Sequence, residues 1–325
     1  VAAKAKAGES GRRDPNHEFG TNPCGEISLR PSGQFCNLTE VVIRATDTKK
    51  DLLNKVRLAT ILGTYQSSFT NFTYLRKIWK DNTEEERLLG VSLTGIMDSP
   101  LMNGTEGDLP ALLFDLKQCA IYTNKEWSEK LGIPQSTAIT TVKPSGSVSQ
   151  LVDSASGIHP RHSPYYIRTV RGNNHDPLTQ FMKDQGIPNA PCVHPKTALT
   201  TTVFSFPIKA PTGAVVTKNC TALDQLKIWQ TYQKYYVEHN PSVTVNVQKE
   251  EWLSVGHYVY ENFDTMVGVA FLPLDEHVYQ QAPYQEIGKS VYEELYSLMP
   301  RKINWEALAA YENEDLTVSS QTLSC

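Results

Sequence analysis

The stretch Val243-Thr-Val-Asn-Val-Gln-Lys-Glu-Glu-Trp-Leu-Ser-Val-Gly-His-Tyr-Val-Tyr-Glu-Asn-Phe-Asp-Thr-Met-Val-Gly-Val-Ala-Phe-Leu272 changes its hydrophobic period twice. Val243, Val245 and Val247 alternate with polar residues, which is the period of a strand. From Glu250 to Phe263 the apolar residues Trp252, Val255, Val259 and Phe263 fall at helical spacing. Val267-Gly-Val-Ala-Phe-Leu272 is a short continuous apolar run, as in a buried strand. A strand, a crossover helix and a second strand form a right-handed parallel unit, so the fold class expected is α/β, as a sheet or a barrel.

Outward from this unit the same alternation continues. Leu223, Leu226, Ile228, Trp229, Tyr232 and Tyr236 predict a helix over 222–237, and 199–205 has strand character, ended by Pro207. Ala138-Ile-Thr-Thr-Val142 is a β-branched strand that runs into Lys143-Pro-Ser-Gly-Ser-Val-Ser149, a Gly/Ser loop before a helix start. Residues 109–131 read as mostly helix, 52–78 as two helices, and 88–93 as a buried strand or short apolar segment. Glu84-Glu-Glu86 suits a helix N-terminus or turn ahead of that segment. Residues 1–20 are polar and expected as a loop or lead-in. The acidic, then Ser/Thr-rich stretch 311–325 is expected as a mobile tail, leaving 21–310 as one folded segment.

At 325 residues and 40% hydrophobic content the chain can bury a large core. A formal net charge of -4 gives no bulk attraction to nucleic acid or to an acidic membrane, so an anionic ligand needs a local site. No apolar run reaches the length of a membrane span, and a cytoplasmic location is expected. The six cysteines, at 24, 36, 119, 192, 220 and 325, form no Cys-x-x-Cys pair, which suits thiol chemistry in a reducing compartment.

The most specific chemistry lies in Thr21-Asn-Pro-Cys-Gly-Glu-Ile27. In extended backbone Asn22, Cys24 and Glu26 would face one way, and Pro23 and Gly25 favour the tip of a tight loop that draws the three together. A second thiol, Cys36, follows in Gly33-Gln-Phe-Cys-Asn-Leu38. The Pro144-Ser-Gly-Ser-Val148 loop, after a strand, offers backbone N–H groups and hydroxyls of the kind that hold phosphate.

The Asn22, Cys24, Glu26 and Cys36 set resembles the finger loop of ribonucleotide reductases. Further matches lie in Val91-Ser-Leu-Thr-Gly-Ile-Met-Asp98, Thr141-Val-Lys-Pro-Ser-Gly-Ser-Val-Ser149, Gly157-Ile-His-Pro160, Tyr165-Tyr-Ile-Arg168, Phe271-Leu-Pro273 and Gln281-Ala-Pro-Tyr-Gln-Glu286. Together they resemble the C-terminal half of the adenosylcobalamin-dependent class, over roughly residues 15–325. The resemblance implies half of a ten-stranded α/β barrel with a central finger loop over 21–310. It implies reduction of ribonucleoside di- or triphosphates to 2′-deoxyribonucleotides for DNA synthesis.

On this resemblance Cys24 would carry a thiyl radical that abstracts the ribose 3′-hydrogen. Glu26 would act as general base on the 3′-hydroxyl, and Asn22 would orient the sugar. Cys36 would pair with a cysteine of the N-terminal half to supply two electrons. Pro144, Ser145, Gly146, Ser147 and Val148 would seat the substrate phosphates. Cys325 resembles the first member of a C-terminal dithiol reduced by thioredoxin or glutaredoxin; the family places a second cysteine a few residues further on, and one thiol cannot form its own disulfide. The cofactor implied is adenosylcobalamin, with no protein metal-ligand motif. An adjacent tyrosine pair, as used for long-range radical transfer, is not matched by Tyr292 and Tyr296. Without its N-terminal half the chain is expected to be inactive.

Blander readings remain for single features. His159, His162, Tyr165-Tyr166 and Cys192-Val-His194 lack metal-ligand spacing and read as structural or surface residues. Cys119, Cys192 and Cys220 fall outside the motifs and read as small buried hydrophobes. A cysteine hydrolase with Cys24 as nucleophile would need a histidine base close by. A non-catalytic binding subunit would tolerate Cys24→Ser and Glu26→Gln.

Overall fold

The change of period over 243–272 becomes two parallel strands and a helix in the computed structural model, which describes residues 1–274 and 279–312. Among the described residues the strands are, in chain order, β1 (Gly20–Thr21), β2 (Ser28–Leu29), β3 (Asn37–Val42), β4 (Leu89–Thr94), β5 (Tyr165–Asn173), β6 (Asn189–Pro191), β7 (Thr201–Lys209), β8 (Val243–Val247), β9 (Val269–Pro273) and β10 (Tyr284–Glu286). Contacts divide the described residues into two units, 1–161 with 211–274, and 162–210 with 279–312. This differs from the single segment expected over 21–310. The tail beyond residue 312, with Cys325, lies outside the described residues.

The first unit is built on parallel pairing. β3 pairs with β4 from Asn37↔Leu89 to Val42↔Thr94, and β8 with β9 from Val243↔Val269 to Val247↔Pro273. Residues 138–142 lie between the pairs. They bridge to β4 at Val91↔Thr140 and to the approach of β8 at Val142↔Pro241, both parallel. The hydrogen bonds Val91 N–H to Ile139 O (2.8 Å) and Ser242 N–H to Val142 O (2.9 Å) secure these joints. The result is an array of five parallel segments in the order β3, β4, 138–142, β8, β9. The α/β class is therefore correct, although 138–142 makes isolated bridges where a full strand was expected.

Every position of β4 is buried, as a strand covered on both faces requires. The helices Lys49–Ser67, Leu109–Leu131 and Ala222–Tyr235 supply Leu52, Val56, Leu113, Leu116, Leu226 and Trp229 to one core with Val91, Leu93, Val243 and Val245. Its large aromatic residues also satisfy their polar tips. Trp229 Nε1 donates to Pro241 O (2.7 Å), Tyr232 Oη to Met102 O (2.7 Å) and Tyr236 Oη to Val91 O (3.0 Å). β9 was expected as a buried strand, but with β8 as its one partner among the described residues it is half-buried to exposed.

Two local expectations are corrected in this unit. Residues Ala2–Ser10 form a helix rather than a loop, since four alanines favour it and Gly11 closes it in a left-handed conformation (φ 63°). Lys6 anchors it by donating to Gln233 O (2.6 Å) and Val237 O (2.7 Å), and burial lowers its pKa to about 7. Glu84-Glu-Glu86 closes the helix Lys77–Glu86 rather than opening one, because Glu86 turns inward to a buried arginine described below.

The second unit holds an antiparallel sheet in the order β10-β5-β7-β6, which the strand-helix-strand rhythm did not anticipate. β5 and β7 pair from Tyr165↔Lys209 to Asn173↔Thr201. β7 continues through Pro207, which was expected to end it. β6 covers only Thr202–Phe204, so at Pro207 one side of β7 is a sheet edge, where a missing N–H is tolerated.

Candidate active site

β1 and β2 form an antiparallel hairpin, Gly20↔Leu29 and Thr21↔Ser28, and Asn22–Ile27 is its turn. Gly25 takes a left-handed φ of 78°, its N–H donates to Asn22 O (2.9 Å), and Ile27 N–H donates to Asn22 Oδ1 (3.0 Å). The acceptor end of the Asn22 amide closes the turn. Its Nδ2 donates to no protein acceptor among the described residues.

The tip of the hairpin rests on the parallel array. Ser242 Oγ donates to Cys24 O (2.6 Å), Asn240 Nδ2 to Gly25 O (3.2 Å) and Asn240 N–H to Glu26 O (3.0 Å). Thr141 Oγ1 lies 3.0 Å from Glu26 O. The approach is close enough that a Cβ on Gly25 would stand 3.1 Å from the Cα of Gly268, just before β9. At the base of the hairpin Arg13 makes a buried two-pronged pair with Glu86 (2.8 and 2.9 Å) and also donates to Ser28 O (2.9 Å). Burial pushes the Glu86 pKa up, but its bonds to Arg13 and Gln34 and the Arg30 charge outweigh this and hold it low.

The turn places the three sequence-derived residues at different depths, so the one-sided alternation of an extended strand does not hold here. Cys24 is exposed, Asn22 half-buried and Glu26 fully buried. Glu26 Oε1 pairs with Lys143 Nζ at 2.5 Å, while Oε2 is buried with no hydrogen-bond partner among the described residues. A buried carboxylate with one oxygen neutralised and one unused can accept a hydrogen bond from a hydroxyl.

Cys36 precedes β3, is half-buried, and has Arg13, Glu26 and Lys143 as its charged neighbours. Burial pushes its thiol well above the usual range, so it is a neutral S–H at physiological pH. A groove of about 380 Å³ is lined by Leu38, Thr39, Glu40 and Ser92 on one side and by Lys143 and the Pro144–Val148 loop on the other. Gly146 and Ser147 are exposed, and their N–H groups donate to no acceptor among the described residues. The helix that follows is a single turn, Val148–Leu151, so its dipole adds little and the loop's own N–H groups carry any anion site.

The loop is braced from behind. Ser149 N–H donates to Ser145 Oγ (2.9 Å) and Ser145 N–H to Ser156 Oγ (2.8 Å). Arg161 grips Asp98 with two bonds of 2.8 Å, and Asp98 Oδ2 accepts from Ala155 N–H (2.8 Å), which fixes the turn carrying Ser156. Lys143, Arg13, Glu86, Thr141, Asn240 and Ser242 all serve this site, yet their sequence separations from Glu26 gave no local signal.

His159 and His239 are structural, as expected for the former. His159 Nε2 accepts from Thr244 N–H (2.9 Å) with Nδ1 on Ser156 O (2.9 Å), and His239 bonds Leu89 O (2.9 Å) and Ser28 N–H (3.4 Å). Burial lowers both pKa values, that of His239 to about 3. Of the three cysteines read as buried, Cys192 is buried, but Cys119 and Cys220 are half-buried. Among the described residues no three His, Cys, Asp or Glu side chains converge as a metal site would require.

No family model matches the chain. It is 27% identical over 326 residues to an adenosylcobalamin-dependent ribonucleoside-triphosphate reductase of Lactobacillus acidophilus, covering 91% of this chain and 42% of that one. The reductase of the same name from Lactobacillus leichmannii is 28% identical over 304 residues, with 84% and 40% covered. Among solved structures, a B12-dependent class II ribonucleotide reductase superposes with a TM-score of 0.78 at 25% identity, covering 91% of this chain and 44% of that one. A class Id reductase α subunit from Actinobacillus ureae superposes at 0.53 with 13% identity, covering 84% and 57%, a likeness of fold alone. The chain thus spans about two fifths of the length of these curated relatives, and the resemblance read from its motifs is borne out.

Proposed function

We propose that this chain is a catalytic portion of an adenosylcobalamin-dependent ribonucleotide reductase, cytoplasmic, acting on ribonucleoside triphosphates, the substrate class its relatives' names carry. On this reading the five-segment parallel array is part of a closed barrel and the hairpin over 20–29 is its finger loop. One observation carries the reading: the turn pinned to the array holds Cys24 at its accessible tip and Glu26 in its buried wall, beside the groove of Lys143–Val148.

Each residue then has a task suited to its surroundings. Cys24, as a thiyl, takes the 3′-hydrogen of the ribose and later returns it. Glu26 Oε2 accepts the 3′-hydroxyl proton, which eases departure of the 2′-hydroxyl as water. The Asn22 Nδ2 group is left to hold the sugar, and the N–H groups of Gly146 and Ser147 face phosphate. Cys36, kept as a neutral thiol, supplies hydrogen and one of two electrons, the other coming from a cysteine in the remaining portion of the longer protein. The cofactor, when bound, supplies the oxidising radical. An exposed thiol at the tip of a braced turn fits direct oxidation by a group approaching from outside this unit. Thioredoxin or glutaredoxin would reduce the resulting disulfide, with Cys325 in the relay.

The two buried histidines of this unit, His159 and His239, have both ring nitrogens engaged by backbone groups, so neither supplies the base that the hydrolase alternative needs. The test combines the chain with the remaining portion of a class II relative, adenosylcobalamin, a ribonucleoside triphosphate and dithiothreitol. Deoxynucleotide should form with the natural chain and fall by at least about 1,000-fold with Cys24→Ser, as expected when a nucleophile or radical carrier is removed. Equal turnover by the two chains would overturn the assignment.

A further inference from the structure

We infer that Lys143 is a positioning residue that exchanges Glu26 for substrate phosphate, so that filling the phosphate groove changes the charge environment of the general base. The inference rests on reading 144–148 as the phosphate seat and Glu26 as the base. Lys143 sits at the junction of the two. Its backbone is fixed by its N–H donating to Ser92 Oγ (2.9 Å), and the next five residues form the loop. Its side chain lines the groove, is one-third exposed, and ends 2.5 Å from a carboxylate that is wholly buried.

The asymmetry of this pair decides its behaviour. Glu26 cannot reach water, and among the described residues the Lys143 ammonium is its one ion-pair partner. Lys143 is partly solvated and flexible, and an ammonium makes point-charge contacts from several geometries. A polyphosphate in the groove carries more charge than one carboxylate and is presented to the same ammonium. Sharing or transfer of Lys143 would leave Glu26 less neutralised at the moment the ribose hydroxyl arrives at Oε2, and a less neutralised carboxylate is the stronger base. Until substrate arrives, the pair keeps the buried charge compensated.

This exchange has a signature that a merely structural ion pair lacks, because substituting the two partners should move phosphate affinity in opposite directions. Inorganic pyrophosphate titrated into the chain by isothermal calorimetry is the probe. Glu26→Gln frees Lys143 and should tighten binding by about threefold or more, since a competitor for the binding-competent lysine is gone. Lys143→Met should weaken it by about tenfold, the scale of one lost charge contact, and Lys143→Arg should restore most of the affinity. The double variant should match Lys143→Met.

Circular dichroism and thermal melting check that each variant folds. If Lys143→Met does not, the Glu26 carboxylate ¹³C resonance of the natural chain is read instead. It should shift on addition of pyrophosphate and not on addition of the same ionic strength of sodium chloride. Pyrophosphate binding that is unchanged or weakened by Glu26→Gln overturns the exchange while leaving the phosphate seat standing. Absence of binding to the natural chain overturns both the seat and the exchange. The radical role of Cys24 stands or falls separately on the turnover assay.

Discussion

Two thiols a dozen positions apart are set for different work by their surroundings. Cys24 is at the exposed tip of a turn, while Cys36 is half-buried with its thiol held neutral by burial. Alkylation by iodoacetamide requires thiolate. Cys36 should therefore react at least about tenfold more slowly than Cys24 at pH 8, and its rate should keep rising about tenfold per pH unit to pH 9.5 without levelling off. Peptide mass spectrometry at timed intervals measures both. Comparable rates, or a plateau for Cys36 near pH 8.5, would remove the account of it as a neutral hydrogen donor. The same contrast explains what the sequence could disclose. Asn22, Cys24, Glu26 and Cys36 are neighbours in the chain, so their types and spacing were readable. Lys143 meets Glu26 only across the fold, and the charge that neutralises this carboxylate had no counterpart in local pattern.

A two-strand hairpin is marginal by itself, so this one must be held by what it touches. Its tip takes hydrogen bonds from Asn240 and Ser242, and its base is held by Arg13, whose guanidinium joins Ser28 O to Glu86 in the helix Lys77–Glu86. Both members of the Arg13–Glu86 pair are under 5% exposed, so removing Arg13 leaves a desolvated Glu86 that keeps the Gln34 amide and the more distant Arg30 but loses its two-pronged partner. Arg13→Ala should cost about 3–5 kcal/mol, read as a lower urea midpoint. A loss under about 1 kcal/mol would class the pair with surface ion pairs. Legibility at this scale followed periodicity. The helices Leu109–Leu131 and Ala222–Tyr235 and the strands β4, β8 and β9 announce themselves by apolar spacing. The helix Ala2–Ser10 does not, since its alanines carry no amphipathic stripe and its anchor is a lysine buried against distant carbonyls. The antiparallel sheet of the second unit was also hidden, because β5 reads Tyr-Tyr-Ile-Arg-Thr-Val-Arg with only two of its nine positions buried and no clean alternation.

At the scale of the molecule, the parallel array ends in two strands that each have one partner among the described residues, β3 on β4 and β9 on β8. In a parallel pair alternate N–H groups point away from the partner, so each of these strands presents free donors along one edge, whereas β4 is paired on both sides and buried throughout. Burial and pairing set how often an amide opens to exchange with solvent. In the chain alone β4 should therefore exchange slowest, and β9, half-buried to exposed, much faster. If the array is part of a barrel completed by the remaining portion of a longer reductase, adding that portion should protect residues 37–42 and 269–273 selectively, since within the array, among the described residues, these two strands offer the unpaired edges. Hydrogen–deuterium exchange with and without the added portion measures this. Protection gained across the buried helices but not at those two strands would mean that the partner docks elsewhere, and the barrel would have to be abandoned even if Cys24 kept its role.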